Sequence, residues 1–201
     1  MSHRINIVTP PVSHALTSLE AVKTRLNISG STYDAALTDE ITRASAVIEA
    51  FIGRPVLSMT VAERWRTLIN QRRDALVLAY QNISAVNSIT EDDSDLTVDT
   101  DYDVELASGI IYRVAEGRRW IWGYQVDVEY VTGWETVPAD IEAVCIDLVQ
   151  IVHTRGASDP SVQLEVTEGV GRTAYFNRPN LGFVIDESMR QVLMPYADLS
   201  A

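Results

Sequence analysis

Residues 31–65 read STYDAALTDEITRASAVIEAFIGRPVLSMTVAERW, and the period of their apolar positions changes partway along. Leu37, Ile41, Ala44, Ile48 and Phe51 follow one another at spacings of four, three, four and three, which is one face of a helix beginning near Ser31 or Thr32. Asp34, Asp39 and Glu40 fall in its early turns, where the helix macrodipole favours carboxylates. Gly53 supplies the stop, with Pro55 behind it. From Val56 to Trp65 the period is two: Leu57, Met59, Val61 and Trp65 alternate with Ser58, Thr60, Ala62 and Arg64, the pattern of a half-buried strand. A helix handing over to a strand across Gly53-Arg54-Pro55 sets the expectation of an α+β protein.

Toward the N-terminus, Thr17-Ser18-Leu19-Glu20 has the spacing of a capping box, and Leu19, Val22 and Leu26 continue one helical face to about Asn27. Ahead of it, Thr9-Pro10-Pro11-Val12 is extended, because proline constrains itself and its predecessor. Toward the C-terminus, strand patterns recur at Leu76 to Tyr80, Ala85 to Thr90, Ile110 to Val114 and Gln125 to Val131, with turns at Ser108-Gly109 and Thr132-Gly133. Pro138 then opens a third helix that carries Ile141, Val144, Cys145, Leu148, Ile151 and Val152 to about Thr154. The expectation is a small helical bundle (helices about 17–27, 32–53 and 138–154) with a mainly antiparallel sheet inserted at about 56–134, forming a core over residues 1–155.

Residues 156–201 read as an arm. From Gly156 to Ile185 the alternation Val162, Leu164, Val166 against Gln163, Glu165, Thr167 is punctuated by Pro160, Gly169, Gly171, Pro179 and Gly182, an extended tether. A short helix follows at about 186–199, with Asp186 and Glu187 at its start and Met189, Val192, Leu193 and Tyr196 on one face. A helix this short is marginal alone in water, so its stripe must dock, either on its own domain or on another molecule. The second alternative makes Met189, Val192, Leu193 and Tyr196 the candidate partner-binding residues.

Composition narrows the function. A net charge of −12, from 28 acidic and 16 basic residues, argues against gripping a phosphate backbone. No run approaches a membrane span and residues 1–9 lack a signal-peptide core, so the expectation is no membrane partner and a cytoplasm-like compartment. The basic residues are nearly all arginine, Lys23 being the only lysine, with clusters at Arg64, Arg66, Arg72, Arg73 and at Arg118, Arg119. The one cysteine, Cys145, excludes a disulfide within the chain and reads as a buried thiol.

No catalytic or metal constellation is expected. Glu91, Asp92, Asp93, Asp95, Asp99, Asp101, Asp103 and Glu105 invite a calcium reading, but the register Asp99-x-Asp101-x-Asp103 has Val104 where the loop needs glycine and Ile110 where it needs a bidentate glutamate. A solvated acidic edge or a docking surface for an arginine-bearing neighbour are the alternatives. Cys145 and His153 are eight residues apart on one helix, about 12 Å of axial rise and too far for a dyad. His3 and His14 lack metal-ligand spacing, and Gly169-x-Gly171 is only a two-glycine turn. Trp120, Trp122, Tyr124, Tyr130 and Trp134 read as sheet core or as an aromatic and arginine contact between subunits.

Several strings, in this order and spacing, resemble the head-tail connector proteins of long-tailed phages, also called adaptor or head-completion proteins, and their relatives in gene transfer particles. They are Val8-Thr9-Pro10-Pro11 with Leu16-Thr17-Ser18-Leu19-Glu20-Ala21-Val22-Lys23, Ile48-Glu49-Ala50-Phe51-Ile52-Gly53-Arg54-Pro55, Val128-Glu129-Tyr130-Val131-Thr132-Gly133-Trp134 with Val137-Pro138-Ala139-Asp140-Ile141, and Val192-Leu193-Met194-Pro195-Tyr196. The resemblance implies a structural virion protein without cofactor. It implies a ring, typically of twelve copies, beneath the portal, with a C-terminal segment reaching into the portal and a stopper or tail terminator protein on the other side. DNA would pass through the channel without specific binding, and an acidic lumen would let it slide. A stopper or tail-completion role is the alternative within the neck, and a nucleic-acid-binding module the alternative of another class.

Overall fold

The computed structural model describes residues 2–68, 73–156, 164–167, 171–174 and 183–197. Parts of the expected tether (Pro160, Gly169, Pro179 and Gly182), the end of the last helix at Leu199, and Arg72 lie outside the described residues. The α+β class is as expected. The chain divides into two compact units, one made of residues 1–13 and 54–136, the other of residues 14–53 and 137–201.

The first unit is the sheet. Its main layer has the order β1-β2-β9-β4-β5, where β1 is Ser2–Thr9, β2 Met59–Arg66, β4 Ile83–Glu91, β5 Ser94–Asp95 and β9 Gln125–Thr132, each pair antiparallel. A second layer has β3 (Ala75–Val77), β7 (Ile110–Ala115) and β6 (Tyr102–Glu105), with β8 (Arg118–Arg119) paired to β7. The alternation read in the sequence sets the burial. Met59, Val61 and Trp65 of β2 and Val126, Val128 and Tyr130 of β9 enter the core beside Leu76, Ile89, Ile111 and Trp122.

Glu63 occupies the inward phase of β2, between Val61 and Trp65, and is buried. A buried carboxylate is costly unless its lone pairs are filled. Here Oε1 accepts from the Tyr130 hydroxyl and from the Ala79 N–H at 2.9 Å, and Oε2 lies 2.6 Å from His3 Nε2. His3 also stacks on Trp65, with ring centroids 4.8 Å apart, so the carboxylate ties β1, β2, β9 and residue 79 together. Burial and the bond to Glu63 push the Tyr130 hydroxyl well above the usual phenol range, which keeps it a donor.

The second unit is helical: α1 Leu19–Leu26, α2 Asp34–Ile52, α3 Ala139–Gly156 and α4 Glu187–Leu193, the last continued by a 3-10 turn Met194–Tyr196. α1 starts one residue later than the capping box proposed: Ser18 is the cap, accepting from the Ala21 N–H at 3.1 Å, while the Thr17 hydroxyl donates to Glu142 at 3.1 Å. Val22, Leu37, Ile41, Ala44, Ile48, Ile141, Val144, Cys145 and Leu148 are buried as their spacing required, whereas Phe51 is half-buried and Ile52 takes the inner position. Residues 164–167 and 171–174, read as tether, form a two-stranded hairpin, β10 and β11.

Because the sheet is spliced into the chain between α2 and α3, its entry and exit strands must meet. Trp134 N–H donates to the Val56 carbonyl at 2.8 Å and Ser58 N–H to the Trp134 carbonyl at 2.9 Å. Gly133 lies between them at φ +89, and a Cβ there would stand 2.5 Å from the Leu57 carbonyl oxygen. Gly133→Ala is therefore expected to cost about 1–3 kcal/mol, read as a lower denaturant midpoint.

Candidate functional site

The segment singled out by sequence, Met189 to Tyr196, has definite geometry. Asp186 caps α4, its Oδ1 accepting from the Met189 N–H at 2.9 Å and the Ser188 hydroxyl at 2.7 Å, and these bonds hold its carboxyl below the usual carboxylate range. α4 lies against α3. Met189 and Leu193 are buried, Leu193 completely, and the Arg190 guanidinium stands 5.6 Å from the ring centroid of Phe51 on α2. The Tyr196 hydroxyl donates to Asp140 Oδ2 at 3.2 Å. Of the two docking alternatives read from the sequence, Met189 and Leu193 take the first and pack within the helical unit of their own chain. Periodicity revealed a sticky face but not what it meets.

Two apolar side chains of this segment stay outward. Val192 is 40% exposed, the one of the four candidates that is exposed, and Met194, two residues on in the 3-10 turn, is 45% exposed. The chain can therefore present two apolar side chains to a partner without giving up Met189 or Leu193.

The other candidates serve structure. Asp92 oxygens accept from the Tyr124 and Gln125 N–H groups at 3.1 and 2.8 Å, Glu91 pairs with Arg113 at 2.9 Å, and Asp101 accepts from the Thr97 N–H at 2.9 Å. Among the described residues no group of three or more His, Cys, Asp or Glu is placed to hold a metal ion. His153 lies 3.2 Å from Glu40 and edge-on to Tyr33, and so belongs to the helical unit's packing. The aromatic series divides: Trp122 and Tyr130 are core, Trp120 and Tyr124 are exposed, and Trp134 lies under the Arg54 guanidinium at 5.4 Å. No described helix is long and apolar enough to cross a membrane.

Fold and site together define a two-unit α+β protein whose last described helix and 3-10 turn leave Val192 and Met194 exposed. The sequence matches the family model "Head completion protein" over residues 15–197, and the chain belongs to that family. Among solved structures it is similar to a chain in the neck of an empty GTA (gene transfer agent) particle computed with C6 symmetry, at 12% identity and TM-score 0.55, covering 98% of this chain and 97% of that one. A chain from the neck of a native GTA particle computed with C12 symmetry gives 16% identity and TM-score 0.54, with 98% and 97% covered. One from the virion of a native gene transfer agent particle gives 14% and 0.52, with 98% and 96% covered. A comparison with curated protein sequences gives no match.

Two outcomes check the geometry. Leu193→Asp places an unpaired charge in the helical core and is expected to lower unfolding free energy by at least about 3 kcal/mol, whereas Val192→Asp should change it by less than about 0.5 kcal/mol in the same denaturant titration. Burial pushes the Cys145 thiol up to about 11, so at pH 7–8 it is protonated and enclosed. Alkylation by iodoacetamide is expected to be slow in buffer and fast in denaturant.

Proposed function

We propose that this chain is a head-tail connector, a structural and non-enzymatic virion protein that assembles as a ring in the particle neck, docks on the portal after DNA packaging and carries the tail side of the neck. The observation that carries the reading is the family match over residues 15–197, supported by a fold shared along 98% of the chain with proteins of GTA necks. The C12 symmetry of one such neck supports twelve copies here.

Portal docking is assigned to the Met189 to Tyr196 segment, in two roles. Val192 and Met194 make the contact, and Met189, Leu193 and Tyr196 hold the helix where it can be made. Two side chains per copy bury little, roughly 1.5–3 kcal/mol each before ordering costs. Twelve such contacts on one ring reinforce one another, because the first to bind raises the effective concentration of the rest. The stopper or tail terminator meets the ring on its distal side, and DNA passes through without specific binding, as suits an acidic chain.

Mixing purified chain with the portal ring of the same particle and following co-migration tests this. Intact chain should co-migrate; chain truncated before residue 186, and a folded Val192→Asp/Met194→Asp variant, should not. Undiminished co-migration of the truncated chain would contradict the docking role. Particles lacking the protein should contain filled heads that leak DNA or lack tails.

A further inference from the structure

We propose that the free edge of β1 seats a second copy of this chain, which presents the acidic β4–β5 end of its own sheet, so that copies join head to tail through opposite edges of one layer. The proposal rests on the ring reading above and names the surface that would build the ring.

The two edges of the main layer are built differently. At the β4 edge, pairing with β9 breaks register twice, between Ile83 and Ala85 and between Val86 and Ser88, and the strand runs into the exposed carboxylates Asp92, Asp93 and Asp95. Bulges and charge keep this edge from accepting a strand, so it meets a neighbour through its carboxylates and not through backbone pairing. β1 is less protected: its register with β2 is continuous from Ser2↔Arg66 to Ile7↔Val61, Arg4 is its one arginine, and its outer edge has no strand partner among the described residues. All eight of its residues are exposed. Ile5 and Ile7 stand on the same side of the strand as His3, whose ring covers Trp65, yet they are 43% and 52% exposed. An open edge carrying uncovered isoleucines is a template for another chain unless it is covered.

Charge selects the occupant. The first carboxylate of the chain is Glu20, so residues 1–19 carry Arg4, His3 and His14 with no acid, in a protein of net charge −12. Arg4 aligns with Arg64, which pairs with Asp127 of β9, so the layer is basic at β1–β2 and acidic from β9 to β5. Arg4, Asp93 and Asp95 make no ion pair among the described residues. Four strand spacings, about 19 Å along the sheet, separate the basic edge from the acidic one. The two therefore complement each other between copies, and a contact between unlike surfaces repeats head to tail and closes when its rotation allows a ring.

The test is sedimentation velocity on the full chain, alone from micromolar to millimolar concentration and on the portal ring. Wild type should form closed rings at least on the portal. Arg4→Glu/Ile7→Asp and, separately, Asp93→Arg/Asp95→Arg should each bind the portal through α4 yet assemble at least tenfold more weakly. Arg4→Glu combined in one chain with Asp93→Arg/Asp95→Arg should recover assembly. Circular dichroism checks folding; if the β1 variant unfolds, the turn variant and the charge swap still decide. Rings formed equally well by folded edge variants would overturn this interface alone. Wild type that neither assembles nor binds the portal would overturn the connector reading with it.

Discussion

A sheet spliced into a helical chain has one demand that precedes all others: its first and last strands must begin and end side by side. Here the seam is the pair of backbone bonds between residues 56–58 and Trp134, closed over Gly133, where the Leu57 carbonyl occupies the space of a Cβ. The seam lets a chain leave α2 at Gly53 and return ahead of Pro138 with residues 54–136 folded, together with residues 1–13, as a unit of their own. Each unit then keeps its own core, and the chain can offer different surfaces from each: a strand edge from one, a helix strip from the other.

Inside the sheet unit, the Glu63 carboxylate does for β1 what hydrophobic packing does elsewhere. β1 buries little, since all its residues are exposed, so its place depends on backbone pairing with β2 and on His3 reaching the buried carboxylate. Replacing Glu63 would leave the Tyr130 hydroxyl and the Ala79 N–H without an acceptor, and such groups cost about 1–3 kcal/mol each. In the helical unit the same economy of contacts appears at α4, which has seven residues and is held by Leu193, Met189, the Asp186 cap and the Tyr196 to Asp140 bond.

Most of this architecture was legible from periodicity. The switch at Gly53-Arg54-Pro55, helices α1, α2 and α3 and strands β2, β4, β7 and β9 follow from apolar spacing. β1 is harder to read: His3, Ile5 and Ile7 alternate with Arg4 and Asn6, but every residue of the strand is exposed and Pro10 and Pro11 follow at once. β6 was hidden by composition, as Tyr102 and Val104 alternate with Asp103 and Glu105 inside a run read as an acidic edge. Glu63 was in plain view in the inward phase of β2, but its partners lie 60, 67 and 16 residues away and only the fold brings them together. The same limit applies to α4, since the partner of its stripe is a property of tertiary structure.

The connector proposal places this protein in the neck as a ring of identical copies. Imaging the neck of intact particles by electron cryomicroscopy tests it most directly. The account predicts density for this fold repeated around the channel axis beside the portal, with Val192 and Met194 against portal density. Density for the chain in the capsid shell or the tail tube, with none at the portal vertex, would contradict it.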